Sequence, residues 1–168
     1  MRIAGLIKND VVNGYDVCVS LWTQGCPFHC QGCHNPETWA FEGGIYVEED
    51  QLIQDIDKAI SLNGIQRNLS ILGGEPLCKA NYLFVFRLLQ YIKRKYPTIL
   101  VFIWTGYTWE TLTREQRKVV LWANYLIDGQ YIQEERDITL PYRGSKNQRI
   151  IDVHKTLDKN EIVLWTGK

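Results

Sequence analysis

Three cysteines, Cys26, Cys30 and Cys33, sit at C-x3-C-x2-C spacing on the segment Gly25-Cys26-Pro27-Phe28-His29-Cys30-Gln31-Gly32-Cys33. Three thiolates on one short loop can hold three corners of a cubane iron–sulfur cluster and leave the fourth iron without a protein ligand. An ordinary electron-transfer cluster takes four cysteines, and structural zinc is likewise four-coordinate. An open iron is a place where a substrate can sit, so the spacing points to a reaction centre. Gly25 and Gly32 let the backbone bend, and Pro27 restricts the turn. A zinc knuckle completed by His29 or His34 is the competing reading, although no second pair of ligands with finger spacing occurs elsewhere.

A second group is Gly73-Gly74-Glu75-Pro76. Two glycines expose backbone carbonyls without side-chain obstruction, and a carboxylate suits an ammonium group. Alone, such a run is an ordinary turn. Arg143, Lys146 and Arg149 place three positive charges in seven residues, which suits a phosphate, a partner contact, or a solvated surface that structures its surroundings. Asp128 can approach a ligand or cap a turn. Trp39 and Phe41 can shield a metal or staple the loop to the core. Cys18 and Cys78 read as small buried hydrophobes. His29 and His154 have no visible catalytic partner, and no catalytic residue is expected beyond the cysteine ligands.

The elements that must position these groups alternate. Strands are expected over Ile3 to Ile7 and Tyr15 to Trp22, joined across Asn13-Gly14. A helix follows from Val47 to Leu62, with Leu52, Ile53, Ile56, Ala59 and Ile60 at helical spacing and acidic residues at its start. Strand Asn68 to Leu72, helix Asn81 to Tyr96, strand Ile99 to Trp104, helix Trp109 to Trp122 and strand Tyr125 to Ile127 continue the pattern. Strands at Arg149 to Val153 and Glu161 to Trp165 close the chain. Alternation implies βαβ units and a parallel sheet. The cysteine loop, Gly73 to Pro76, Thr105 to Tyr107 and Asp128-Gly129 each come directly after a strand, so they gather on one rim, where such sheets bind ligands. A full (β/α) barrel needs about 200 residues or more. The expectation is therefore an α/β fold, an incomplete, curved parallel barrel of five or six strands, in a single domain over residues 1–168.

Composition narrows the setting. Nineteen basic side chains balance nineteen acidic ones, so no global field draws the chain to nucleic acid or to an anionic membrane. No run approaches the roughly 18–20 apolar residues of a membrane span. The N-terminal residues, interrupted by Arg2, Lys8 and Asp10, lack a signal-peptide core. Crowded cysteines in a reducing compartment suggest metal ligation rather than disulfides. A cytoplasmic protein is expected.

The cysteine loop resembles the signature of the radical S-adenosylmethionine (SAM) enzymes, and Gly73-Gly74-Glu75-Pro76 resembles that superfamily's G-G-E-P element. The flanks, Thr23-Gln24-Gly25-Cys26-Pro27-Phe28-His29-Cys30 and Gly32-Cys33-His34-Asn35-Pro36-Glu37-Thr38-Trp39, are similar to the anaerobic ribonucleoside-triphosphate reductase activating proteins. So are Asp128-Gly129 and the run Arg143 to Asp152. The resemblance implies that Cys26, Cys30 and Cys33 ligate a [4Fe-4S] cluster whose remaining iron is chelated by the methionyl amine and carboxylate of SAM. It implies SAM contacts at Gly32, Cys33, His34, Gly73, Gly74 and Glu75, with His34 serving through its backbone. It further implies a flavodoxin or similar one-electron donor, a 5′-deoxyadenosyl radical, and transfer of a hydrogen atom from a glycine of the anaerobic reductase. Activation of another glycyl-radical enzyme, and outside that class a zinc-binding module or electron carrier, are the alternatives.

Overall fold

The computed structural model describes residues 1–167. Its strands are β1 (Arg2–Asp10), β2 (Cys18–Thr23), β3 (Ile45–Tyr46), β4 (Asn68–Gly73), β5 (Val101–Thr105), β6 (Tyr125–Asp128) and β7 (Arg149–Asp152). Helices α1 (Glu49–Ile60), α2 (Tyr82–Lys95), α3 (Arg114–Val120) and α4 (Val153–Lys159) lie between or after them. One open sheet of order β3-β1-β2-β4-β5-β6-β7 holds all seven strands. Strands β2, β4, β5 and β6 run parallel to one another, whereas the β1–β2, β1–β3 and β6–β7 pairs are antiparallel.

The sheet thus differs from a parallel arc of five or six strands. Strand β1 returns into β2 over the short turn 11–17, and a parallel neighbour needs a crossover of a dozen or more residues. Strand β3 is only two residues long, below what an apolar pattern can signal. At the other end the expected strand Glu161 to Trp165 makes one isolated bridge, Ile151 with Leu164. Asp152 stops β7 and caps α4 instead, its carboxylate accepting from the Lys155 N–H at 3.0 Å. The expected helix over 109–122 is split into a 3-10 turn, Trp109–Thr111, and α3. Thr113 caps α3, its hydroxyl accepting from the Gln116 N–H while the Gln116 side chain accepts from the Thr113 N–H.

Strand alternation sorts the sheet into two faces. Val19, Leu21, Leu69, Ile71, Val101, Ile103 and Leu126 pack against Leu52 and Ile56 of α1, Leu88 and Ile92 of α2, and Val119 of α3. Burying each such side chain stabilises the fold by roughly 1.5–3 kcal/mol. The opposite face carries Cys18, Phe102, Ile127 and Ile150, overlaid by Trp104, Tyr125, Tyr142 and Trp165. Cys18 and Cys78 are buried as packing residues. Among the described residues, no helix is long and apolar enough to cross a membrane.

Parallel register sets the rim. Thr23 at the end of β2 faces Gly73 at the end of β4, and Thr105 at the end of β5 faces Asp128 at the end of β6. The four segments expected on one rim therefore leave adjacent strands of the sheet at the same edge.

Candidate metal centre

The thiol loop leaves β2 with its base pinned by backbone. The Gly25 N–H donates to Thr38 O at 2.8 Å and the Cys26 N–H to Trp39 O at 3.0 Å. Gln24, buried, reinforces that anchorage through its amide, which donates to Glu37 O at 3.0 Å and Ala40 O at 2.7 Å. Gly25 has φ of 91°, and a Cβ there would stand 2.5 Å from the Phe41 ring. Only glycine fits both the conformation and the space. Phe41 thus staples the loop base, one of the two roles open to it from sequence.

Cys26 is buried, Cys30 and Cys33 half-buried. Burial pushes the Cys26 thiol up to about 11, against the pull of the Phe28 and His29 N–H groups. Cys30 is also raised, chiefly by burial, with the Tyr131 N–H acting to lower it. The Asn35 N–H donates to Cys33 Sγ at 3.4 Å, and Gln130 Oε1 lies 3.9 Å from Cys30 Sγ. At Cys26 and Cys30 backbone donors thus favour the thiolate against the larger effect of burial. His29 is exposed and its ring meets Trp39 edge-on at 4.9 Å. His34 is exposed beside Asn35 Nδ2.

The glycine turn lies directly on this loop. The Gly74 N–H donates to Thr23 O and the Glu75 N–H to Gly25 O, both at 2.8 Å. Asn81 Nδ2 bridges the two segments, donating to Gln24 O at 2.9 Å and to Glu75 O at 3.0 Å. A Cβ on Gly74 would stand 2.5 Å from Gly25 O, so any side chain would pry the two backbones apart.

Glu75 behaves differently from the sequence expectation of a contact to an ammonium. Its side chain is 1% exposed. Oε1 accepts from the Leu77 N–H at 2.9 Å and the Thr105 hydroxyl at 2.7 Å, and Oε2 from the Gly106 N–H at 2.7 Å. Burial pushes this carboxyl up to about 7 while those three donors pull it down. The carboxylate bolts the glycine turn to the end of β5. Gly106, so held, leaves room for the Phe28 ring, which also meets Tyr107 edge-on at 4.9 Å.

Asp128, fully buried, accepts from the Trp109 N–H at 2.8 Å and from Arg149 at 3.0 and 2.6 Å. Arg149 also forks onto Glu110 at 3.0 and 2.8 Å. Asp128 is a turn anchor, and the guanidinium that sequence offered to a phosphate faces two carboxylates. Gln148 joins the rest of the basic segment to the rim. Its Oε1 accepts from the Gly144 N–H at 2.9 Å and the Ser145 N–H at 3.2 Å, and its Nε2 donates to Gly129 O at 3.0 Å. Beside these residues a cavity of about 530 Å³ opens along the rim, lined by Gly106, Thr108, Asp128, Gln130, Tyr131 and Asn147 among others.

A model of the 4Fe-4S single cluster domain matches residues 12–151. An anaerobic ribonucleoside-triphosphate reductase-activating protein of Vibrio cholerae is 39% identical over 145 residues, 84% of this chain and 91% of its own length. That of Haemophilus influenzae is 37% identical over the same shares, and that of phage T4 is 30% identical over 84% of this chain and 87% of its own. The chain belongs to this family of activating proteins. As a family member it carries the thiol loop, the glycine turn and the Asp128 rim inside one matched span.

The residues present suit the iron–sulfur group of that family better than a single ion. Three cysteines stand on one loop, and the two histidines near them, His29 and His34, are exposed and turned to Trp39 and Asn35, whereas a zinc knuckle takes four ligands. A cubane takes one sulfur per iron at separate corners. Gln130 escaped the sequence reading, and Asn147 and Gln148 entered it only within the run Arg143 to Asp152, with no role of their own. Gln130 approaches Cys30 across 100 residues, and the only local hint was its position beside the Asp128-Gly129 turn.

Proposed function

We propose that this chain activates an anaerobic ribonucleoside-triphosphate reductase by radical SAM chemistry. The observation that carries the reading is the laying of the glycine turn on the base of the three-thiol loop, through Gly74 N to Thr23 O and Glu75 N to Gly25 O. Cys26, Cys30 and Cys33 would hold three irons of a [4Fe-4S] cluster, and SAM would complete the fourth. The chemistry that such a cluster would supply is one-electron reductive cleavage of SAM, with a donor as the source of the electron, leading to removal of a hydrogen atom from a glycine of the reductase.

The chain's own residues bind, orient and exclude. Backbone at Gly32, Cys33, His34 and Gly74 is available to the methionyl end of SAM; Gly73 contributes the bend, with φ of 105°. Glu75 serves from behind, holding the turn rather than touching the ligand. Phe28, packed edge-on against Tyr107 and over Gly106, fixes the loop to the end of β5. Backbone N–H groups of Phe28, His29 and Tyr131 oppose the effect of burial on Cys26 and Cys30, and no side chain has to move a proton. Cofactor enzymes of this kind contribute positioning and electrostatics. The open sheet is read as an incomplete barrel whose unclosed side admits a protein substrate. A flavodoxin-like donor and a cytoplasmic setting belong to the same proposal, since an open iron and free thiols suit a reducing compartment.

Anaerobic incubation of the reconstituted chain with SAM, a reductant and the reductase should yield a glycyl-radical spin signal. Cys30→Ala should abolish both that signal and SAM cleavage. Full activity in that variant would reject the assignment. A cluster that forms but never cleaves SAM would leave an electron carrier instead.

A further inference from the structure

Between β6 and β7 the chain leaves the rim as a hairpin, residues 133–146. Its arms pair through the Asp137 N–H to Gly144 O at 3.1 Å and the Lys146 N–H to Glu135 O at 2.9 Å, with an antiparallel bridge between Arg136 and Ser145. Asp137 Oδ1 orders the tip by accepting from the Thr139 N–H at 3.0 Å and its hydroxyl at 2.6 Å. The base is held just as firmly. Ser145 is fully buried and its hydroxyl accepts from the Ile132 N–H at 3.2 Å. Trp104 Nε1 donates to Tyr142 O at 2.7 Å, and Asn147 Nδ2 to Gln130 O at 2.8 Å.

This fixed tip presents Ile138 at 80% exposure, with Ile132 at 36% on the stem. Single exposed apolar side chains are common on any surface, so position decides. The stem borders the thiol loop: Gln130 lies 3.9 Å from Cys30 Sγ, the Tyr131 N–H faces the same thiol, and Gly32 leaves no room for a side chain against Gln133. The rim cavity lies on the same side, lined by Gln130, Tyr131 and Ile132. The arms below Ile138 carry exposed charges of both signs, Glu134, Arg136 and Lys146. An apolar anchor with a charged, solvent-facing periphery is the anatomy of a protein interface. Val11 and Val12, each 71% exposed, occupy the turn between β1 and β2 at the opposite end of the strands.

We propose that hairpin 133–146 is the surface on which the reductase docks, with Ile138 entering an apolar pocket of that partner. The inference rests on the function proposed above. A glycine that must reach the cavity beside Cys30 arrives next to this hairpin, and a hairpin pinned at base and tip sets the distance between the two proteins.

The affinity of the reconstituted chain for its reductase, measured anaerobically by titration calorimetry, tests this. Ile138→Asp should weaken binding by about tenfold or more, as loss of an interface anchor does. Ile138→Leu should stay within about a few-fold of wild type, because volume is conserved. Val12→Asp should leave affinity unchanged. All three should keep their iron and sulfide content and circular dichroism. Wild-type affinity in Ile138→Asp, or equal loss in Val12→Asp, overturns the docking surface while the glycyl-radical signal of the wild type still upholds the function. A wild type that neither binds the reductase nor yields the radical overturns both.

Discussion

At Glu75, burial and hydrogen bonding act in opposite directions on one carboxyl. Burial prevails and brings it to about 7 from an ordinary 4.5. A carboxyl raised in the fold contributes stability that is complete below its unfolded value and lost as pH rises through the folded one. The cluster-free protein should therefore lose stability between pH of about 4.5 and 7 from this group. Glu75→Gln keeps an acceptor for Leu77 and Thr105 but turns an amide N–H toward the Gly106 N–H. At pH about 5 the variant should be less stable by about 1–3 kcal/mol, and the gap should narrow above pH 7, where only the wild type carries a buried charge. Urea unfolding across that range checks it, and parallel curves would refute it. The three cysteines and Gly73-Gly74 were legible because their chemistry lies within a few residues. The direction of the Glu75 carboxylate was not, since Gly106, which receives it, lies 31 residues on.

Elements with strong periodicity were readable, and short ones were not. The apolar stripe Leu52, Ile56, Ala59, Ile60 announces α1, and Lys93, Arg94 and Lys95 before Pro97 announce the end of α2. Strand β3 and helix α4 are too short to leave a pattern, and the break at Thr113 hides in a helical period until its capping box is seen. Arg143 to Arg149 looked like a basic run, and its local structure comes from Gln148. Gln148→Ala leaves the Gly144 and Ser145 N–H groups without their acceptor and should cost about 0.5–1.5 kcal/mol, since the exposed Gly144 N–H can turn to water. Hydrogen exchange should quicken at those two amides while the β4 and β5 amides keep their protection. Unchanged exchange at 144 and 145 would show that the hairpin is held by other contacts.

Across the whole molecule, the sheet places helices on one face and brings the site to one edge. Alternating strands and helices made the parallel centre β2-β4-β5-β6 legible, together with the rim at its strand ends. The β1–β2 pair was announced by the Asn13-Gly14 turn, whereas the outer strands β3 and β7, of two and four residues, were too short to declare their direction. What the edge gathers is three thiols on one loop, a glycine turn bonded to that loop's base, and a cavity beside Cys30. The account stands on one iron of the cluster having no protein ligand. Mössbauer spectroscopy of the ⁵⁷Fe-reconstituted chain, with and without SAM, measures this most directly. One iron in four should change its isomer shift when SAM is added, as an amine and a carboxylate join its coordination. Four irons that stay unchanged on addition of SAM would contradict the account.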